Sequence, residues 1–267
     1  MMKNRIISAI IVLAILIPII LYGGMLFNIV AYLIGLMALK EFLDAKNKRK
    51  TIPLFIKVMS YIFLTLIILV DVNSTSDVFS LDYRVIAALF ISFLLPAVLY
   101  HDAKKYNVKD GFYMIGGILF LGISMALLIM LRHLDLKLFI FLITITITTD
   151  VFAYLTGNLI GKHKLLTEIS PKKTWEGLIG GTIMGVFVSA MFYHTCIDPT
   201  FSKSYLLVIC TFLSLLGQFG DLTFSAIKRY FGLKNFSNIM PGHGGVLDRL
   251  DSIIFVILGF TFFITIL

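Results

Sequence analysis

The chain has 267 residues, 59% hydrophobic and only 14% charged, with a mean hydropathy of +0.97. That composition excludes a soluble globular domain, and the lack of alternating apolar strands excludes a transmembrane barrel. A formal net charge of +8 reads as membrane topology and attraction to anionic headgroups and substrates, not as a nucleic-acid surface.

The sequence predicts an all-α, polytopic membrane protein, since several apolar runs approach the roughly 17 to 25 residues that a helix needs to cross a bilayer. Nine spans are expected, at about 6–22, 25–39, 54–70, 85–100, 112–131, 138–155, 178–196, 205–219 and 252–267. With the N-terminus inside, 19 of the 23 Lys and Arg residues fall in cytoplasmic segments, the bias expected of such a topology. No repeat, low-complexity segment or long linker divides the chain. It is read as one membrane domain over 1–267, with N-terminal and middle spans at 1–135 and the chemically richer part at 136–267.

The segment from Met1 to Tyr22 has the basic start and apolar core of a signal peptide but lacks a small-residue cleavage site, so it is read as a retained first span. Pro18 is expected to kink this helix or pack against a neighbour, and the first two segments, separated by Gly23 and Gly24, are alternatively a re-entrant pair. The stretch from Lys40 to Lys57 reads as a solvated basic loop, with a lipid-headgroup site as the alternative. An external, acidic loop is expected from Asp71 to Arg84, and a short basic inner loop from His101 to Asp110. Gly116, Gly117 and Gly122 predict close helix packing. Cys196 and Cys210 carry no C-x-x-C spacing and read as packing residues.

Asp150 lies inside the sixth expected span, after Thr144, Thr146, Thr148 and Thr149, with Tyr154 one turn later. An acid at membrane depth is a functional candidate; the alternative is a structural carboxylate held by the threonines or by a cation from another span. In the following loop, Ser170 and Pro171 suit an N-cap and first helical position, and Trp175 suits the membrane interface.

The chain is organised around Gly217 to Ser252, which gathers Asp221, Asp248 and Asp251 with Lys228, Arg229, Lys234, Arg249, His243 and a glycine-rich turn. Acids for a divalent cation, fixed cations for phosphates and glycines at Gly242, Gly244 and Gly245 that let backbone N–H groups approach an oxygen together read as a phosphate-chemistry site. The alternative is an ordinary cytoplasmic loop with solvated charges.

Ser225-Ala-Ile-Lys228-Arg229, Lys234 and Pro241-Gly-His243-Gly-Gly245-Val-Leu-Asp248-Arg249-Leu-Asp251, led by Gln218-Phe-Gly220-Asp221-Leu222, resemble the C-terminal motif of the phosphatidate cytidylyltransferase family. Asp150-Val-Phe-Ala153-Tyr154 and Ser170-Pro-Lys-Lys173-Thr-Trp175-Glu-Gly177 are similar to the family's central motifs. The resemblance implies transfer of CMP from CTP to phosphatidic acid in the inner leaflet, giving CDP-diacylglycerol and pyrophosphate. It implies Asp221, Asp248, Lys228 and Arg229 as catalytic groups, and Asp221, Asp248, Asp251 and Asp150 as ligands for magnesium with a second cation as an option. Lys173, Lys234, His243, Gly244, Gly245 and Arg249 are the implied substrate-binding residues. It further implies a homodimer in the bacterial inner (cytoplasmic) membrane.

The sequence departs from the family pattern at Asn158, Phe224, Asn235 and Phe236, which leaves two acids missing near the expected metal. Phe224 and Phe236 are expected to pack against each other or against lipid. The alternatives are a weakened or inactive relative, a transferase for a polyprenyl lipid, or a transporter, which would be expected to show repeated halves.

Overall fold

The structure, a computed structural model, describes residues 2–72, 82–239 and 244–264. Among the described residues it contains nine α-helices: α1 (Met2–Tyr22), α2 (Gly24–Asn47), α3 (Leu54–Val72), α4 (Tyr83–Leu99), α5 (Val108–Leu134), α6 (Leu136–Ile160), α7 (Trp175–Cys196), α8 (Lys203–Tyr230) and α9 (Leu247–Phe260). A hairpin of β1 (Lys164–Leu166) and β2 (Ser170–Thr174) lies between α6 and α7. Five helices, α2 and α5 to α8, are long and apolar enough to cross a membrane, which makes this a multi-pass membrane protein. Most of the expected acidic loop, residues 73–81, lies outside the described residues.

The chain divides into two compact units, residues 1–134 with 235–247 and residues 135–234 with 248–267. In the first, α5 packs against α2, α3 and α4. The expected glycine packing is present: a Cβ at Gly117 would collide with the Phe42 ring, and one at Gly122 would stand 2.9 Å from Ile67, whereas the position over Gly116 is open. α1 runs on through Pro18, which is exposed rather than packed against a neighbour. α1 and α2 are separated at Gly23 and Gly24, whose φ values of 69° and 57° favour glycine. Arg132 caps the end of α1, donating from Nε to the Ile20 carbonyl at 2.6 Å and from Nη2 to that of Leu21 at 3.0 Å.

Two loop expectations need correction. The stretch from Lys40 to Asn47 is helical, and Glu41, Phe42, Leu43 and Ala45 are buried. Its cations are not simply solvated: Lys46 and Lys50 donate to the two oxygens of buried Asp110 at 2.6 and 2.5 Å. Asp110 also caps the start of α5, accepting from the Asn107 amide at 3.0 Å. The two basic segments therefore meet on one carboxylate, and burying that acid requires both partners. Beside it, Tyr106 donates to the Phe93 carbonyl at 2.9 Å. Burial, and then the negative charge of Asp110, push its phenol above the ordinary range.

In the second unit α6 and α7 run nearly backbone to backbone. A Cβ at Gly177 would sit 2.7 Å from the Ala153 carbonyl, one at Gly181 would sit 2.7 Å from that of Thr149, and one at Gly185 would collide with Thr149 Oγ1. These glycines recur every four residues and form one stripe of α7. The same device joins α9 to α8, where a Cβ at Gly220 would lie 2.6 Å from the Asp251 carbonyl. Ser170 is not a helix cap. Residues 170–174 pair with 164–166, and Thr174 caps α7 by accepting the Gly177 amide at 3.1 Å. Pro171 is tolerated because each strand of a two-stranded ribbon is an edge. Cys210 is buried as expected, but Cys196 is exposed at the end of α7.

Candidate active site

The expected eighth span ended at 219, yet α8 runs on to Tyr230. The extension places Asp221, Ser225 and Lys228 at i, i+4 and i+7, on one stripe of the helix. It stops at Gly232, where φ is 68°. There the Leu233 amide donates to the Lys228 carbonyl at 2.8 Å and the Gly232 amide to that of Arg229 at 3.0 Å, a paired helix ending that only a left-handed residue permits.

The acids stand on three helices, α6, α8 and α9, beside a hairpin. Asp221 Oδ2 accepts from Lys173 Nζ at 2.8 Å, and Lys173, on β2, also donates to the Gln218 carbonyl at 3.3 Å. Asp248 Oδ1 accepts from Lys228 Nζ at 2.7 Å, with side chains only 6% and 10% exposed. Because α9 begins at Leu247, Asp248 and Asp251 share a face at i and i+3. The close approach allowed by Gly220 brings Asp251 beside Asp221. Asp150, Asp221 and Asp251 lie near enough for their charges to act on one another, with Lys173 and Arg249 acting on Asp150 and Lys228 on Asp251.

The Asp150 carboxylate is not held by the threonines. Thr144, Thr146 and Thr148 donate back to carbonyls of their own helix, and Thr149 pairs with Ser214 at 2.8 Å. Ser252 of α9, which nothing in local spacing marks, lies close enough to interact with Asp150. Gln218 is likewise unmarked by local spacing. It is buried, donating through Nε2 to Thr182 Oγ1 at 2.9 Å and to the Leu178 carbonyl at 3.3 Å, and so ties α8 to α7.

Arg229 engages backbone. Nε donates to the Ile169 carbonyl at 3.2 Å and Nη1 to that of Leu233 at 2.9 Å, joining the hairpin turn to the end of α8. Lys234 and Arg249 are exposed. Phe224 does not face lipid; it is buried on α8 with its ring edge-on to Phe255 of α9, centroids 6.4 Å apart, and Phe236 is buried too. An aromatic at position 224 thus fills the contact between α8 and α9.

Pro241, Gly242 and His243 lie outside the described residues. Gly244 has a φ of 85°, which favours glycine. The space over Gly245, expected to admit a phosphate, holds the carboxylate of Glu41 instead, and a Cβ there would collide with it. Glu41 also accepts from Ser237 Oγ at 2.6 Å and from the Val246 and Leu247 amides at 2.9 and 2.8 Å. Nothing in local spacing marks this acid.

Among the described residues, no three Asp, Glu, His or Cys side chains converge in a ready-made metal cage. Magnesium commonly takes one or two carboxylates and completes its shell with water and substrate phosphates. The all-oxygen donor set around Asp221 fits such an ion.

Polytopic helices, carboxylates beside fixed cations and a hairpin lysine on an acid of α8 define a membrane-embedded phosphate-chemistry class. The cytidylyltransferase family model matches residues 3–267, and the chain belongs to that family. It is 36% identical to a phosphatidate cytidylyltransferase of Staphylococcus saprophyticus over 96% of both chains. Proteins of the same name from Staphylococcus haemolyticus and Staphylococcus aureus are 35% and 34% identical, again over 96% of both chains.

Proposed function

We propose that the chain transfers CMP from CTP to phosphatidic acid, giving CDP-diacylglycerol and pyrophosphate for phospholipid synthesis. A phosphatidate oxygen attacks the α-phosphorus of CTP; the new P–O bond forms as the bond to the bridging α–β oxygen breaks, and pyrophosphate leaves with that electron pair. The nucleophile is a phosphate monoester, whose second pKa of about 6 leaves it largely ionised at neutral pH, so no strong general base is needed. The obstacle is the approach of two polyanions, and positioning with charge neutralisation lowers it.

The observation that carries this reading is the family match along nearly the whole chain, joined to the grouping of Asp150, Asp221 and Asp251 with Lys173, Lys228 and Arg249 in one unit. In this reading Asp221, with either Asp251 or Asp150 beside it, would hold magnesium together with substrate phosphates and water, and the ion would neutralise phosphate charge. Asp248 is the fourth candidate ligand, available when Lys228 turns to substrate. Lys173 and Lys228, which pair with Asp221 and Asp248 here, would bind phosphates, with Arg249 and Lys234 at the exposed rim. Arg229 acts by holding the hairpin against α8. The lysine and arginine distribution supports nine spans, a cytoplasmic N-terminus and a site on the inner face of the cytoplasmic membrane, where soluble CTP meets a lipid substrate. The family resemblance supports a homodimer.

The test uses purified protein in lipid nanodiscs with labelled CTP, magnesium and phosphatidic acid. Labelled CDP-lipid and one equivalent of pyrophosphate are expected. Asp221→Asn is expected to lower turnover at least about 100-fold, the scale of losing a principal charge-stabilising group. No CDP-lipid from the wild type, under conditions in which the Staphylococcus saprophyticus relative is active, would reject the assignment.

A further inference from the structure

We propose that Glu41 is a positioning residue for CMP transfer, acting through the backbone that leads into α9; this rests on the function proposed above. Glu41 lies on α2 and is 1% exposed. Such an acid is very costly to bury unless its oxygens are satisfied. Here they are: Oε1 accepts from Ser237 Oγ and the Val246 amide, and Oε2 from the Leu247 amide. The two amides are the last before Asp248. Leu247 opens α9, so one of the donors that a helix start leaves without an intrahelical partner is taken by this carboxylate, whose negative charge is also favoured there.

Gly245 completes the arrangement. Its φ is not in the left-handed region, so a positive φ is not what calls for glycine there. What requires glycine is the carboxylate lying against it. The contact sets the path of residues 245–247, and Asp248, Arg249 and Asp251 follow on the next turn. Displacement of reacting groups by about 1 Å can cost 100-fold in rate even when the altered residue is far from the chemistry.

The experiment compares wild type with Glu41→Gln, Glu41→Ala, Gly245→Ala and the double variant Glu41→Asp with Gly245→Ala, all in nanodiscs. Two readouts are taken: kcat and KM for CTP and phosphatidic acid, and hydrogen exchange at the amides of residues 246 and 247. Glu41→Gln keeps one acceptor oxygen and is expected to lose about 10-fold in kcat, and Glu41→Ala about 100-fold, with both KM values within threefold of wild type. Exchange at both amides should quicken in the same order. Gly245→Ala should be impaired, and shortening the acid to Asp should restore at least tenfold of its kcat by making room for the methyl group.

If Glu41→Ala does not fold, Glu41→Gln and the double variant decide. Unchanged kcat in Glu41→Gln with quickened exchange overturns the positioning role, and so does a double variant no better than Gly245→Ala. Unchanged exchange overturns the anchoring itself. If the wild type makes no CDP-lipid, the function proposed above fails and the positioning role fails with it; the exchange result then still decides the anchoring by itself.

Discussion

Replacing Lys228 with methionine removes a cation from between two acids of α9. The charges of the Lys228–Asp248 pair are 2.7 Å apart, and both side chains are at most one-tenth exposed. At an effective dielectric constant near 20 the direct attraction is about 6 kcal/mol, from which the cost of desolvating both groups must be taken. Removing one partner strands a buried carboxylate, and the net loss expected is about 3 to 5 kcal/mol. Neutralising Asp248 as well, in the variant Lys228→Met with Asp248→Asn, should return at least about 2 kcal/mol, since the stranded charge then no longer exists. The assay is denaturant unfolding in mixed micelles, run as a double-mutant cycle with Asp248→Asn alone, alongside CMP transfer. Stability should recover in the double variant while turnover does not, because in the function proposed above Lys228 binds phosphate and Asp248 is a candidate metal ligand, roles that neither the thioether nor the amide replaces. A single variant as stable as wild type, or a double variant no more stable than the single, would refute the reasoning.

Gly181→Leu should force α7 away from α6, because even a Cβ there meets the Thr149 carbonyl at 2.7 Å; a loss of about 3 kcal/mol or more is expected, read as a lower unfolding midpoint, and wild-type stability would contradict the backbone-to-backbone packing. Asp110→Asn leaves Lys46 and Lys50 without their shared acid, and should cost about 3 kcal/mol, partly recovered by adding Lys46→Met. Thr174→Ala removes the acceptor for the Gly177 amide and should cost about 1 kcal/mol, while turnover falls more steeply if the hairpin carrying Lys173 shifts with the start of α7. Removing magnesium with a chelator should stop CMP transfer and its return should restore it; full activity in the chelator would reject a metal at Asp221.

Sequence alone determined the solvent. A chain this apolar has to satisfy its backbone inside lipid, so the helical class and the approximate helix positions could be read without tertiary information. The chemical inventory was legible too, since Asp150, Asp221, Asp248 and Asp251 stand out against apolar surroundings and charged groups there demand partners. Which partner each acid takes was not legible, because pairing depends on which helix faces approach, and that is set by glycines whose role appears only when the opposing backbone is known. Gly220 brings Asp251 beside Asp221, and Gly245 yields its space to Glu41. Helix ends were missed for a related reason: α2 and α8 both run past the point where their residues cease to be apolar, because buried partners, Asp110 for Lys46 and Asp248 for Lys228, accept the charges that hydropathy assigned to water. Sequence sets how much charge must be accommodated, and only the packed structure decides where, since an ion pair is a property of two surfaces and not of either stretch of chain.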